Sequence, residues 1–254
     1  MNCCQNCLTR IPYATCIATL LCVVGVSIFS GTIFRGAALS RLIFEDVFHV
    51  RAEWYQIVIS ITQLVFVIVG GVMGVLALLI LCVGCFSTGE TKHRMYSTGG
   101  ARVGGRVTCL IFIILAYILN VLWLAMLVFL TGVTVVFTFW WGMCANKQKR
   151  PEKQCISFTE FDFLFPNGTR IEDMEVCGPE EIKLFCKDYV ENGEIMFILA
   201  TSACGLVVFS LIHYLMCLSA NYAYIRDQEK LHDLEDLRYL HSESEMTALA
   251  GKRY

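Results

Sequence analysis

Four long runs of apolar residues alternate with polar stretches along the chain. They cover residues 11–34, 57–83, 107–139 and 195–218. Each run exceeds the roughly 20 residues that cross a ~30 Å hydrocarbon core at about 1.5 Å per residue. Lipid cannot satisfy backbone N–H and C=O groups, so each run is expected to be a helix. The third apolar block continues to Gly142, longer than a bilayer needs. Its helix is expected to leave the membrane before Trp140 and Trp141, whose rings would then mark the outer interface. The first run is too long for a signal-peptide core and lacks an obvious small-x-small cleavage site followed by a polar mature start, so it is expected to be a retained first helix.

Composition agrees with this pattern. Of 254 residues, 56% are hydrophobic and 17% charged, with a mean hydropathy of +0.61. A soluble domain of this length carries more charge. The net charge of −2 offers no basic surface, so nucleic acid is not an expected partner.

An even number of spans puts both termini on one side. Residues 84–106 carry Lys92, Arg94, Arg102 and Arg106 against Glu90; residues 35–56 carry Arg35, Arg41 and Arg51 against Glu45, Asp46 and Glu53. The positive-inside rule favours residues 84–106 as the cytoplasmic loop, by a narrow margin. Cysteine chemistry points the same way. Cys144, Cys155, Cys177 and Cys186 fall in residues 140–194, together with the sequon Asn167-Gly168-Thr169. A sequon inside a four-cysteine loop reads as the oxidising side, with Asn167 a glycosylation site. Residues 35–56 and 140–194 are therefore expected to be extracellular. Residues 1–10 and 219–254 are expected to be cytoplasmic, in a plasma-membrane protein.

The remaining cysteines form a second population. Cys3, Cys4 and Cys7 precede the first helix, where cysteines are typical S-acylation sites. Cys82, Cys85, Cys109 and Cys217 lie at cytoplasmic helix ends, where acylation and plain packing both remain open. Cys16, Cys22 and Cys204 read as packing residues. Four spans already hold the chain in the bilayer, so acyl groups would bias the membrane region it prefers rather than anchor it.

Several motifs together resemble a known family. Cys3-Cys4 … Cys7, Pro12, Ala14-Thr15, Ile17-Ala18-Thr19, Cys22 and Gly25-Val26 look like the start of the myelin proteolipid protein family. Ala77-Leu78-Leu79 … Gly84 … Phe86 … Thr88-Gly89 is similar to that family's second-helix exit. Cys155-Ile156-Ser157-Phe158, Cys177-Gly178 and Cys186-Lys187 match its second extracellular loop, and Ala220-Asn221-Tyr222 matches the stretch after helix four. The short basic loop, the sequon and the acidic tail look more like the neuronal membrane glycoprotein branch; Asp227–Tyr254 departs from both patterns. The resemblance implies an all-α membrane protein, a four-transmembrane-helix bundle with a disulfide-stapled extracellular loop between helices three and four. It implies acylated amino-terminal cysteines. It also implies nested disulfides, Cys144–Cys186 and Cys155–Cys177; the cysteines alone allow three connectivities. Between the bonds lie Phe158, Phe161, Phe163 and Phe165, readable either as a partner-binding surface or as the small core of the loop.

No catalytic constellation accompanies these features. His49, His93, His213, His232 and His241 are scattered, and no HExxH, G-x-S-x-G or P-loop occurs. No cofactor, metal or small-molecule substrate is expected. Within the spans only His213 is ionisable, with Asn120 the notable amide; both read as interhelix contacts, not as a transport pathway. Gly70-x-x-x-Gly74 and Ser27-x-x-x-Gly31 are close-packing patterns, favouring packing within the bundle over oligomers. In the tail, Leu231, Leu234, Leu237 and Leu240 recur among Glu229, Lys230, Asp233, Glu235 and Asp236. This predicts an amphipathic helix, readable either as a solvated extension of helix four or as a surface better suited to a protein partner than to anionic lipid. The expected function is non-enzymatic: a structural and interaction protein of the plasma membrane, working through lateral assembly and its outer loop. The bilayer and other membrane proteins, itself included, would be its partners, and the resemblance implies roles in membrane contacts, cell junctions or neurite outgrowth. A four-helix channel or transporter-associated protein is the alternative. Tetraspanins and claudins fit less well: Cys177-Gly178 lacks the preceding cysteine of a Cys-Cys-Gly motif, and residues 35–56 hold no cysteine.

Overall fold

The computed structural model describes residues 13–48, 53–86, 99–149, 155–165, 170 and 174–251. Cys3, Cys4, Cys7 and Asn167 lie outside the described residues. Four long helices carry the chain: α1 (Tyr13–Leu42), α2 (Glu53–Phe86), α3 (Gly99–Lys149) and α5 (Glu191–Gly251). Each contains a stretch long and apolar enough to cross a membrane. The protein is therefore a four-span, all-α membrane protein.

Proline placement explains where the helices can stop. The chain has four prolines, Pro12, Pro151, Pro166 and Pro179, and none falls inside a long helix. Pro12 precedes α1 and Pro151 follows α3. Pro179 opens the short helix α4 (Pro179–Lys183) at its first turn, where its missing N–H costs nothing. Leaving lipid does not by itself end a helix. Thus α3 runs on past Trp140 to Lys149, and α5 continues well beyond residue 218. At about 1.5 Å per residue they are about 76 Å and about 92 Å long, far more than a bilayer.

The long helices contribute to two compact units: Met1–Leu20, Ala77–Asn120 and Ser210–Tyr254 in one, Leu21–Leu76 and Val121–Phe209 in the other. In the first unit, Tyr214 is buried and donates to Thr19 Oγ1 at 2.9 Å, and Thr19 donates to the Thr15 carbonyl at 2.8 Å. Gly84 lets Thr15 approach: a Cβ there would stand 3.0 Å from the threonine hydroxyl. Arg106 pairs with Glu229 at 2.6 Å, tying the start of α3 to the extension of α5. From Leu231 to Leu240 the tail leucines are all exposed.

In the second unit, Phe29 packs edge-on to Phe66 and Trp123, with centroids at 5.4 and 4.9 Å. A Cβ on Gly25 would press on Val207 at 2.9 Å, so that glycine lets α1 and α5 approach closely. The two glycine patterns in the sequence divide differently from expectation. Gly70 does face Ser30 and Val26, but a Cβ at Gly74 or at Gly31 would meet nothing within 4 Å. Close packing is made at single glycines, not along a paired stripe.

Candidate functional site: a disulfide-stapled aromatic loop

The segment between α3 and α5 is the most elaborated part of the chain. Its first strand, β1 (Cys155–Ser157), pairs antiparallel with β2 (Glu175–Cys177), matching Cys155 to Cys177, Ile156 to Val176 and Ser157 to Glu175. Phe158 N–H donates to the Met174 carbonyl at 3.0 Å. By the alternation of such ladders, Cys155 and Cys177 then fall at a non-hydrogen-bonded pair, where side chains come closest. The two are bonded, with Cα atoms 4.2 Å apart. Cys144, near the end of α3, is bonded to Cys186, with Cα atoms 5.6 Å apart. The bonds are nested, closing 22 and 42 residues. Each stabilises by about 3–4 kcal/mol in the loop-entropy model. Glu175 lies beside the inner pair, but oxidised sulfurs offer no thiolate to a metal.

Leaving β2, the chain turns sharply at Gly178, whose φ of 93° is a conformation side chains rarely adopt. It then enters α4 and a π-helical turn, Leu184–Val190, which leads into α5. A Cβ at Gly193 would lie 2.6 Å from the Phe137 ring. That position must stay bare for α3 and α5 to meet at the base of the loop.

The aromatic residues settle how the loop holds together. Phe158, Phe165 and Phe185 are buried, and so are Trp140 from α3 and Phe48, which caps the π-helical turn Ile43–Val47 after α1. Phe48 stacks edge-on with Phe165 at 5.0 Å, Phe158 at 5.3 Å and Phe185 at 6.0 Å. Trp140 packs on Phe158 and Phe185 at 5.8 and 5.9 Å. Of the two readings of the loop phenylalanines, Phe158 and Phe165 take the core one; Phe161 is half-buried against Trp140 at 6.1 Å. Trp140 departs from expectation: it is 3% exposed and faces this core, while Trp141 is 46% exposed. The first connection is tied in again where the Tyr189 hydroxyl donates to Asp46 at 2.7 Å. Phe48 is a core residue that the charge and cysteine content of residues 35–56 did not reveal. Its signal was Phe44 and Phe48 spaced by four in a polar segment.

Other singled-out residues are spread through the helices. Cys22, Cys109 and Cys204 are buried, Cys16 and Cys217 half-buried, and Cys82 and Cys85 exposed. Asn120 is buried, and its Oδ1 finds no hydrogen-bond partner among the described residues. His213 is half-buried.

Four membrane-spanning helices define a multi-pass membrane protein, and its most elaborated part is the doubly stapled loop. A family model described as myelin proteolipid protein (PLP or lipophilin) matches residues 1–230; the chain belongs to that family. The chain is 28% identical to mouse neuronal membrane glycoprotein M6-b, over 93% of this chain and 74% of that one. It is 28% identical to human neuronal membrane glycoprotein M6-a, over 93% and 86%. It is 29% identical to proteolipid protein DM beta of Squalus acanthias, over the same shares. No solved structure matches. The protein is thus a non-enzymatic membrane protein. The family match ends at residue 230, so the exposed tail leucines lie beyond it.

Proposed function

We propose that this protein is a structural and interaction protein of the plasma membrane, with both termini cytoplasmic and residues 35–56 and 140–194 outside the cell. The observation that carries the reading is the pair of nested disulfides closed over a shared aromatic core. Such bonds persist on the oxidising side of a membrane. A loop stiffened in this way presents a fixed surface, so little ordering entropy is lost on meeting a partner. On this reading the protein organises membrane contacts, cell junctions or neurite outgrowth by lateral assembly and by its outer loop. Glycosylation at Asn167 and S-acylation at Cys3, Cys4 and Cys7 belong to the same reading.

The test is made on intact cells. A membrane-impermeant glycosidase should shift the mobility of the wild type and not of Asn167→Gln. An impermeant crosslinker should recover the protein with itself or with another membrane protein. Recovery of monomer alone would remove the assembly mechanism, and labelling of Cys3, Cys4 or Cys7 by an impermeant thiol reagent would invert the topology. The alternative, a channel or transporter-associated protein, predicts ion or solute flux in liposomes. The scarcity of ionisable groups within the spans favours no flux.

A further inference from the structure

Past Glu229, which pairs with Arg106, α5 continues to Gly251, and every residue from Lys230 to Ser244 is exposed. This stretch also lies beyond the end of the family match at residue 230. No burial supports it, so its helix rests mainly on its own backbone hydrogen bonds and opens locally at small cost.

One hydroxyl in the stretch has a distinct charge pattern. Ser242 is followed by Glu243 and, at the third position, Glu245; Asp233, Glu235 and Asp236 precede it. In residues 1–10, 84–106 and 219–254, no other serine or threonine has an acid at both the first and third following positions. Ser242 is exposed, and its hydroxyl donates to the Tyr239 carbonyl at 2.8 Å, a bond that local opening releases. Protein kinases take the acceptor residue in an extended segment and choose it by the charges around it. A hydroxyl followed by carboxylates suits a cleft lined with lysine and arginine.

We propose that Ser242 is a phosphorylation site for an acidophilic serine kinase. Its Oγ attacks the γ-phosphorus of ATP, the bond from that phosphorus to the β–γ bridging oxygen breaks, and ADP leaves. The hydroxyl proton passes to the kinase's catalytic aspartate. The product adds about −1.5 to −2 charge one helical turn from Arg238, the single Lys or Arg between residues 231 and 244. The charge of the exposed leucine-bearing tail thus becomes adjustable. The site deepens the proposed function and rests on its cytoplasmic placement of the tail, the side that holds ATP.

The outer loop supplies a control. Thr159 carries the same pattern, with Glu160 next and Asp162 third, and it too is exposed. Its backbone, however, is held on both sides. The N–H of buried Phe158 donates to the Met174 carbonyl at 3.0 Å, and the Phe161 N–H donates to the Phe158 carbonyl at 2.8 Å. The Cys155–Cys177 bond closes the segment around it. Charge pattern treats the two hydroxyls alike, and the fold separates them.

The experiment uses the full chain in phosphatidylcholine nanodiscs, where a purified acidophilic serine kinase with ATP reaches both faces. Peptide mass spectrometry should find phosphate on Ser242 and none on Thr159. Ser242→Ala should remove it and Ser244→Ala should leave it. Glu243→Lys with Glu245→Lys should lower the initial rate roughly tenfold or more, while Glu243→Asp with Glu245→Asp should preserve it. Absence of phosphate on Ser242, equal phosphate on Thr159 or Ser244, or an unchanged rate in the lysine variant would each overturn the proposal and leave the sidedness as it stood. In intact cells with phosphatases inhibited, Ser242 should again carry phosphate. Modification in nanodiscs but not in cells would overturn the cytoplasmic placement of the tail, and with it the use of the site.

Discussion

Phe48 is the residue by which the first connection holds the second, and Phe48→Ala tests that directly. Its side chain is 2% exposed and meets three phenylalanine rings of the stapled loop with centroids within 6.0 Å. Truncating a buried phenylalanine costs about 3–5 kcal/mol, transfer and cavity together. Each edge-on ring pair carries about 0.5–1.5 kcal/mol beyond burial, so the losses fall within that range. The cavity should collapse poorly, because the Cys144–Cys186 and Cys155–Cys177 bonds restrain the walls. Those bonds stay formed, so the loss appears as local opening rather than global unfolding. At about 1.4 kcal/mol per decade, opening rises by roughly 10²- to 4 × 10³-fold. Hydrogen exchange followed by mass spectrometry should show that acceleration in peptides holding the amides of Ile156, Phe158 and Val176. Phe48→Leu, which keeps most of the volume, should recover more than half of the protection in energy. Protection of β1 and β2 unchanged to within a factor of ten in Phe48→Ala would refute the argument that the two connections share one core.

Other outcomes follow from single contacts. Trp140→Phe removes an indole N–H that is buried without a partner among the described residues while keeping the ring stack, so it should shift the loop's protection by less than about 1 kcal/mol, whereas Trp140→Ala should cost about 3 kcal/mol or more. Asn120→Leu replaces a buried unpaired carbonyl with an apolar group of similar size and should leave the melting temperature in detergent unchanged or raise it; a marked fall would mean that the amide has a partner. Gly193→Leu drives a side chain into the Phe137 ring and should destabilise by about 1–3 kcal/mol, while Gly31→Leu, in open space, should be nearly neutral. A double-mutant cycle on Arg106 and Glu229, both partly exposed, should give a coupling below about 1 kcal/mol that fades in high salt.

The spans were legible because lipid leaves a chain almost no choice of composition or backbone. Any stretch such as residues 57–83 must be apolar and must be helical. Helix ends were not legible, because nothing at the bilayer surface forbids another turn. Only Pro151 ends the possibility for α3. The loop was half legible. The cysteines announced it, and its phenylalanines were visible as a cluster, but the cluster's partners, Phe48 and Trp140, lie far away in sequence. A ring read as an interfacial marker became a core residue because a second layer of protein covers it. Glycine spacing misled in a similar way. Gly70 and Gly74 share a face in a pattern, yet only a neighbour at the right height, Ser30, turns one of them into a contact.

The nesting of the two bonds also bears on biogenesis. On the proposed sidedness, Cys144 and Cys155 reach the oxidising compartment first, and for a time each has only the other to react with. The native partners then arrive in reverse order, Cys177 for the later thiol and Cys186 for the earlier. A premature link between Cys144 and Cys155 would have to be undone before either native bridge could close. Maturation of this protein should therefore lean on disulfide isomerase activity, and single cysteine losses should do more harm in cells than the missing bond's own stability would suggest, because each leaves an unmatched thiol free to shuffle.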